Sequence, residues 1–226
     1  EAISLRFAEE GATVIVSDID LGSAQKVAST AVQAGGSAEA HLLDVTDEAS
    51  VARHLGALEG PFDLVFVATG ALVIDDAQPE KALKALTAKA MVDQFMLNAV
   101  GPALVLKHSV RLLPRREPAV FAALSARVGS IGDNRLGGWY SYRTAKAAVN
   151  QVLHGAAVEL GRTHRQLCVA ALHPGTVETR FTEGYQDHNP TVTAAEAAEN
   201  LLRVIDGLGP EDTGKFFDWQ GEEVPW

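Results

Sequence analysis

Tyr142 and Lys146 stand four residues apart in Tyr142-Arg143-Thr144-Ala145-Lys146, at the start of an Ala-rich stretch. On a helix this spacing puts both side chains on one face. An ammonium beside a phenol favours the phenolate. The pair therefore predicts a Tyr pKa lowered toward neutrality, which suits a general acid/base. A helix N-terminus with a snorkelling Lys and a Tyr at the core edge has the same spacing, so the surroundings must decide. Other chemistry is thinly represented. The seven His residues show no ligand spacing, and His173 before Pro174 reads more readily as a polar strand end than as a cofactor contact. The single cysteine, Cys168, lies in an apolar run, so no disulfide framework exists and a thiolate metal site is disfavoured.

The segments that must position this pair alternate between helical and extended patterns. Residues 1–10 read as a helix with Ile3 and Phe7 on one face and Gly11 as its stop. A β-branched run follows at 13–16 and ends at Ser17-Asp18. Next comes a helix with Ala24, Val27, Ala28, Ala31 and Val32 on one stripe, closed by Gly35-Gly36. The stretch 41–43 leads to Asp44, and Thr46 is the predicted cap of a helix turning Val51, Leu55 and Leu58 inward. Runs at 63–68, 119–124 and 167–172 are nearly continuously apolar, as strands buried on both faces are. The Tyr142 helix carries Ala145, Val149, Val152, Ala156 and Leu160 as its predicted buried stripe and stops at Gly161. Short strands alternating with helices predict α/β architecture: one Rossmann-like domain over 1–226, a doubly wound parallel sheet with helices on both faces.

With 47% hydrophobic and 21% charged residues in a chain of 226, a globular domain with a sizeable core is expected, and disorder is excluded for most of the chain. Acidic residues outnumber basic ones 29 to 19, a net charge of −10, which opposes non-specific binding to nucleic acid or anionic lipid. No apolar run reaches the roughly 18 residues of a membrane span, and no signal peptide opens the chain, so a cytoplasmic protein without a membrane partner is expected.

Taken in order, the surrounding motifs resemble those of the short-chain dehydrogenase/reductase family over nearly the whole chain. Asp18 falls at the end of the second family strand. Asp44-Val45 is similar to the Asp-Val pair that contacts adenine, and Val67-Ala68-Thr69-Gly70 falls where Asn-Asn-Ala-Gly is usual. Asn98 in Leu97-Asn98-Ala99-Val100-Gly101 matches the Asn of the fourth helix, and Ser125-Ala126-Arg127-Val128-Gly129 the Ser-bearing strand end. His173-Pro174-Gly175-Thr176-Val177 through Thr179 is similar to the Pro-Gly motif that covers the nicotinamide. The second half, with its 124–131 and 133–142 stretches and its aromatic end at 216–226, looks closest to a C-factor-like bacterial branch.

The resemblance implies hydride transfer between a nicotinamide and a small carbonyl or alcohol. Tyr142 would be the general acid/base, Lys146 its tuner and the holder of the nicotinamide ribose, Asn98 the holder of a relay water, and Ser125 the polariser of the substrate oxygen. Asp18, Asp44, Val45, Gly70, Tyr142, Lys146, Pro174, Gly175, Val177 and Thr179 would bind the cofactor. A carboxylate at Asp18 accepts bonds from ribose hydroxyls and repels a 2′-phosphate, with Lys26 the first basic residue after it, so NAD is expected over NADP. Alternatively Asp18 or Asp20 simply caps the following helix, and the two roles are compatible if Asp20 caps and Asp18 binds. Homodimers or homotetramers are implied, through the Asn98 and Tyr142 helices, with the 216–226 tail a candidate for the same interface. Trp139 and Tyr140 are candidates for pocket walls, and the short polar segment 180–193 predicts an open substrate pocket.

Three departures qualify the resemblance. The family opens with a strand and a Thr-Gly-x-x-x-Gly-x-Gly turn that cradles pyrophosphate, whereas Glu1 lies inside what should be the following helix. The expectation is an incomplete domain lacking a central strand, poorly stable and weak in dinucleotide binding. Secondly, the family's Ser aligns with Ala126; Ser125 is the nearest hydroxyl and Ser130 the alternative. Thirdly, apolar Val67-Ala68 must tie neighbouring strands by packing rather than through an Asn side chain. Two rival functions follow: a signalling or cofactor-sensing protein without required turnover, and an inactive truncated relative.

Overall fold

The computed structural model describes residues 1–179 and 191–226. The element order is α1 (Ala2–Glu9), β1 (Thr13–Asp18), α2 (Leu21–Gln33), β2 (Ser37–Leu42), α3 (Glu48–Ala57), β3 (Leu64–Val67), α4 (Ala88–Phe95), α5 (Gly101–Ser109), β4 (Ala119–Leu124), α6 (Tyr140–Leu160), β5 (Leu167–His173), β6 (Thr176–Val177), β7 (Thr191–Val192), α7 (Ala194–Asp206) and β8 (Phe216–Asp218). Residues 180–190 of the predicted substrate segment lie outside the described residues.

Polar side chains set where the helices begin. Asp20 accepts from the Gly22 N–H at 2.9 Å and from the Ser23 hydroxyl at 2.8 Å, which starts α2 and leaves Asp18 two residues before the cap. Asp47, not Thr46, caps α3, because its carboxylate reaches the Ala49 N–H at 3.0 Å. Thr46 instead bonds Asp44 through both its N–H and its hydroxyl. Thr87 caps α4, and Thr193 with Glu196 forms a reciprocal capping box on α7.

The parallel sheet is Rossmann-like and is hydrogen-bonded in two blocks among the described residues. One pairs β1 with β2, Thr13 opposite Ser37 through Asp18 opposite Leu42. The other runs β3-β4-β5-β8, with Ala119 opposite Leu167 through Leu124 opposite Leu172 at its centre. Successive side chains along β4 and β5 point to opposite faces. Phe121, Ala123, Val169 and Ala171 pack with Val51 and Leu55 of α3, Val105 and Leu106 of α5, and Val149 and Leu153 of α6. Ala122, Cys168, Ala170 and Leu172 pack with Leu201 and Ile205 of α7 and with Ile3 of α1. Helices thus cover both faces, which is why these strands read as unbroken apolar runs.

Two predicted stripes shift on packing. Val32 is exposed on α2, whose buried face is Ala24, Val27, Ala28 and Ala31. On α6 Ala145, Val149 and Leu160 are buried as predicted, and between them the buried positions are Leu153 and Ala157 rather than Val152 and Ala156. The C-terminal tail folds onto its own chain: β8 pairs with β5, and Trp226 stacks on buried Phe216 with ring centroids 6.0 Å apart.

A cavity of about 2550 Å³ is bounded by residues 13–18 of β1 and by all of β3. Consecutive residues of both strands line it, so the strand edges face it, not one face of each. Val67 is buried in the core, but Ala68 is exposed, so of the expected apolar pair Val67 alone packs between the strands.

Candidate active site

The strand ends and the first turn of α6 converge on this cavity. Its lining includes Asp18, Asp44, Val45, Gly70, Ser125, Tyr142, Lys146, Pro174, Gly175, Val177 and Thr179. All the sequence-predicted site residues except Asn98 therefore reach one space. Asn98 is fully buried behind Gly70.

Tyr142 and Lys146 lie on one buried face of α6, as the spacing predicts. The Lys146 ammonium is 5.7 Å from the Tyr142 ring centroid and donates to the Leu124 carbonyl at 2.9 Å. The expected lowering of the Tyr142 pKa is not what the environment produces. Burial pushes the phenol well above its ordinary value, and burial also lowers Lys146 to about 8. Both charged forms lose hydration in this setting, and that loss sets the direction of each shift.

Asn98 sits in a single wide π-helical turn, 96–100, between α4 and α5. Such turns re-aim a side chain out of the regular helical ladder. Its amide donates to the Ala71 carbonyl at 3.0 Å and to Gln94 Oε1 at 2.7 Å, while Oδ1 has no partner. Gly70 allows the approach, since a Cβ there would stand 2.7 Å from Asn98 Oδ1.

The two hydroxyl candidates separate clearly. Ser125 is buried at the end of β4, lines the cavity, and its Oγ has no hydrogen-bond partner. Ser130 Oγ is already occupied, accepting from the Asp133 N–H at 3.0 Å within its own loop. Opposite Ser125, His173 ends β5. Burial lowers its pKa to about 4, so the ring is neutral at pH 7.

At the far end of the cavity, the exposed Asp18 carboxylate accepts from the Asp20 N–H at 2.9 Å. Asp44 Oδ1 is held by Thr46, and Val45 packs against Gly101. At the near end Gly175, with φ of +79°, brings the backbone against Trp219. The partnerless Ser125 Oγ and Asn98 Oδ1, the glycine-lined approach and the carboxylates at the other end fit a nicotinamide dinucleotide. Among the described residues, no group of three His, Cys, Asp or Glu side chains could hold a metal ion, and no helix is long and apolar enough to cross a membrane.

Sequence reading missed Gln94 and Glu80. Gln94 is buried, four residues before Asn98 on the same helical run, and that spacing was the available signal. Glu80 reaches α6 from a loop 61 residues away, with no local signal at all.

Fold and site together define an NAD(P)-dependent oxidoreductase on a Rossmann-like scaffold. The chain belongs to the short-chain dehydrogenase/reductase family. A family model described as enoyl-(acyl carrier protein) reductase matches residues 1–216. The 1-hydroxy-2-glutathionyl-2-methyl-3-butene dehydrogenase of Rhodococcus sp. (strain AD45) is 31% identical over 228 residues, covering 100% of this chain and 93% of that protein. C-signal of Myxococcus xanthus is 38% identical over 136 residues, 60% of this chain and 78% of that protein. Among solved structures, a short-chain dehydrogenase/reductase from Burkholderia multivorans with bound NADP superposes with a TM-score of 0.82 at 23% identity, covering 100% of this chain and 93% of that one. The carbonyl reductase Sniffer of D. melanogaster gives the same TM-score at 20% identity, covering 99% and 94%. At these identities the superpositions speak for the fold.

Proposed function

We propose that this chain transfers a hydride between NAD and a small carbonyl or alcohol within a single dinucleotide-binding domain, with Tyr142 as general acid/base. The observation that carries the reading is the convergence of Tyr142, Lys146 and Ser125 on one cavity, with Asn98 directly behind Gly70. Bound nicotinamide supplies or accepts the hydride. Tyr142 gives its phenolic proton to the substrate oxygen, or takes it back in the reverse direction. Burial favours the protonated phenol in the free protein, the form that donates. Ser125 Oγ spends its unmade hydrogen bond on the substrate oxygen, where charge develops. Lys146 holds the nicotinamide ribose and favours the phenolate as the proton leaves. Asn98 Oδ1 holds a relay water.

Asp18 would take the adenosine ribose hydroxyls, Asp44 and Val45 the adenine side, and Gly70, Pro174, Gly175, Val177 and Thr179 the nicotinamide half. The NADP in the Burkholderia structure and the NADPH in a carbonyl reductase from chicken fatty liver point to the phosphorylated cofactor. The exposed carboxylate of Asp18 argues the other way, because it repels a 2′-phosphate. Titration of NADH against NADPH by Trp fluorescence, with Asp18→Ser, decides between them: NADH binds tighter and Asp18→Ser narrows the gap. Preference for NADPH in the parent chain would refute the Asp18 argument. For the chemistry, Tyr142→Phe should abolish carbonyl reduction while leaving cofactor affinity and melting nearly unchanged; retained turnover rejects Tyr142 as the acid.

The C-signal likeness favours a second reading, a sensing or signalling role without required turnover. A parent chain that binds dinucleotide yet reduces no carbonyl across a broad panel would favour it. Exposed Val92 and Phe95 on α4 and Val152 and Val158 on α6 support a homodimer or homotetramer built on these helices, to be checked by sedimentation.

A further inference from the structure

The helix that carries Tyr142 begins without a cap of its own. Trp139, the residue before α6, has a left-handed backbone with φ of +51° and offers no side-chain acceptor to the first turn. Gly137 and Gly138 precede it at φ of +64° and +68°. The first N–H groups of a helix need acceptors from outside it. Here one comes from Glu80, on the loop between β3 and α4. Its carboxylate accepts from the Ser141 N–H at 3.2 Å and, through a short bond, from the Ser141 hydroxyl. Its backbone carbonyl accepts from the Trp139 N–H. A Cβ on Gly138 would stand 3.3 Å from that same carbonyl, so the two segments lie in close contact. Glu80 and Ser141 are both buried, at 6% and 3% exposure. A buried carboxylate at a helix N-terminus also meets the positive end of the helix dipole.

The same loop secures Asn98. The carbonyl of Ala71 accepts from Asn98, and that of Leu72 accepts from Gln94, whose own oxygen takes the second Asn98 bond. One segment, 71–80, therefore fixes the relay Asn at its start and the turn bearing the acid/base at its end.

We propose that Glu80 is a positioning residue for the hydride-transfer reaction, holding the first turn of α6 so that the Tyr142 hydroxyl meets the substrate oxygen. This rests on the reading of Tyr142 as general acid/base. Glu80 does not line the cavity; it acts through Ser141, the residue adjoining Tyr142.

The test is steady-state reduction of a carbonyl panel by the parent chain, Tyr142→Phe, Glu80→Ala and Glu80→Gln, with NADH affinity measured in parallel. Freeing the first turn should misplace the phenol by a fraction of an ångström to about an ångström, which lowers kcat by about tenfold to a hundredfold. KM and NADH affinity should stay within about twofold, since the cofactor-binding strand ends do not move. Gln keeps the length and one acceptor, so Glu80→Gln should recover most of kcat. Ser141→Ala removes the hydroxyl half of the same contact and carries the test should Glu80→Ala fail to fold, with a smaller loss of kcat expected. A Glu80→Ala protein, or where that does not fold a Ser141→Ala protein, that melts lower but keeps the parent kcat overturns the inference and leaves the Tyr142 reading standing. Equal losses in kcat and NADH affinity also overturn it. Absence of turnover in the parent, or undiminished turnover in Tyr142→Phe, overturns the reading of Tyr142 and the inference with it.

Discussion

Replacing Lys146 with Met should make the protein more stable and inactive. Lys146 is 2% exposed, and burial lowers its pKa from 10.5 to about 8. The ammonium is therefore held, at pH 7, in an environment that disfavours it. The sign follows from proton counting. Between pH 8 and 10.5 the unfolded chain binds the proton that the folded chain has released, so this contribution to stability rises with pH and is absent below 8. A depression of this size corresponds to about 3 kcal/mol withheld at neutral pH. Met has nearly the same volume and no charge. Its cost is the lost charged bond to the Leu124 carbonyl, about 2 kcal/mol. The net expectation is a gain of about 1 kcal/mol at pH 7, or roughly 2–4 °C in Tm for a chain of this length. The gain should shrink by pH 9.5, as the parent sheds the same proton. Thermal melts of both proteins at pH 7 and 9.5 measure it. A variant that melts below the parent at pH 7, or a difference that ignores pH, would refute the argument that Lys146 is stored at a stability cost for function.

Other expectations follow from the same site. Ser125→Ala removes a buried hydroxyl with no partner, so melting should be unchanged or slightly raised while turnover falls about 10²–10³-fold; Ser130→Ala should do the reverse, losing about 1 kcal/mol with the Asp133 cap and keeping turnover. Gly70→Ala drives a methyl to within 2.7 Å of Asn98 Oδ1, and should cost about 1–3 kcal/mol in urea melts and lower kcat. His173 is held neutral by burial, with its pKa lowered to about 4, so its contribution is intact above pH 6.5 and is lost as pH falls toward 4. His173→Asn should flatten that acid limb, and an unchanged limb would assign it to other groups.

What the sequence revealed, and what it hid, divides along physical lines. The runs at 119–124 and 167–172 were legible because a strand buried on both faces has no polar residue to break it, and both fall on β4 and β5. Tyr142 and Lys146 were legible as a pair because one helical turn enforces their proximity. Their protonation was not, because it depends on how completely the fold removes water. That burial is a property of the cavity wall, not of a four-residue spacing. Ser125 against Ser130 was undecidable from alignment with Ala126 alone; the difference is that Asp133 turns back to occupy one hydroxyl. Thr46 looked like a cap, but it was Asp47, one residue later, that reached the helix, as the Asp44 carboxylate had already captured Thr46. Glu80 was invisible because its partner is 61 residues away and nothing local marks a carboxylate as a distant helix's cap.

The division of the sheet into two hydrogen-bonded blocks bears on how the molecule breathes. Among the described residues, no ladder joins β1-β2 to β3-β4-β5-β8; the blocks meet through side-chain packing such as α3 on α5 and α1 on α7. Cooperative opening units tend to follow continuous hydrogen-bonded structure. The first 60 residues, which carry Asp18, Asp44 and Val45, should therefore open as a unit below the free energy needed to unfold β4 and β5. Native-state amide exchange would register this as two protection plateaus. A dinucleotide contacting both blocks would merge them, because a ligand that spans a seam stabilises the closed form on each side of it. Cofactor affinity and the local stability of the adenosine half are then a single quantity, measured in two ways.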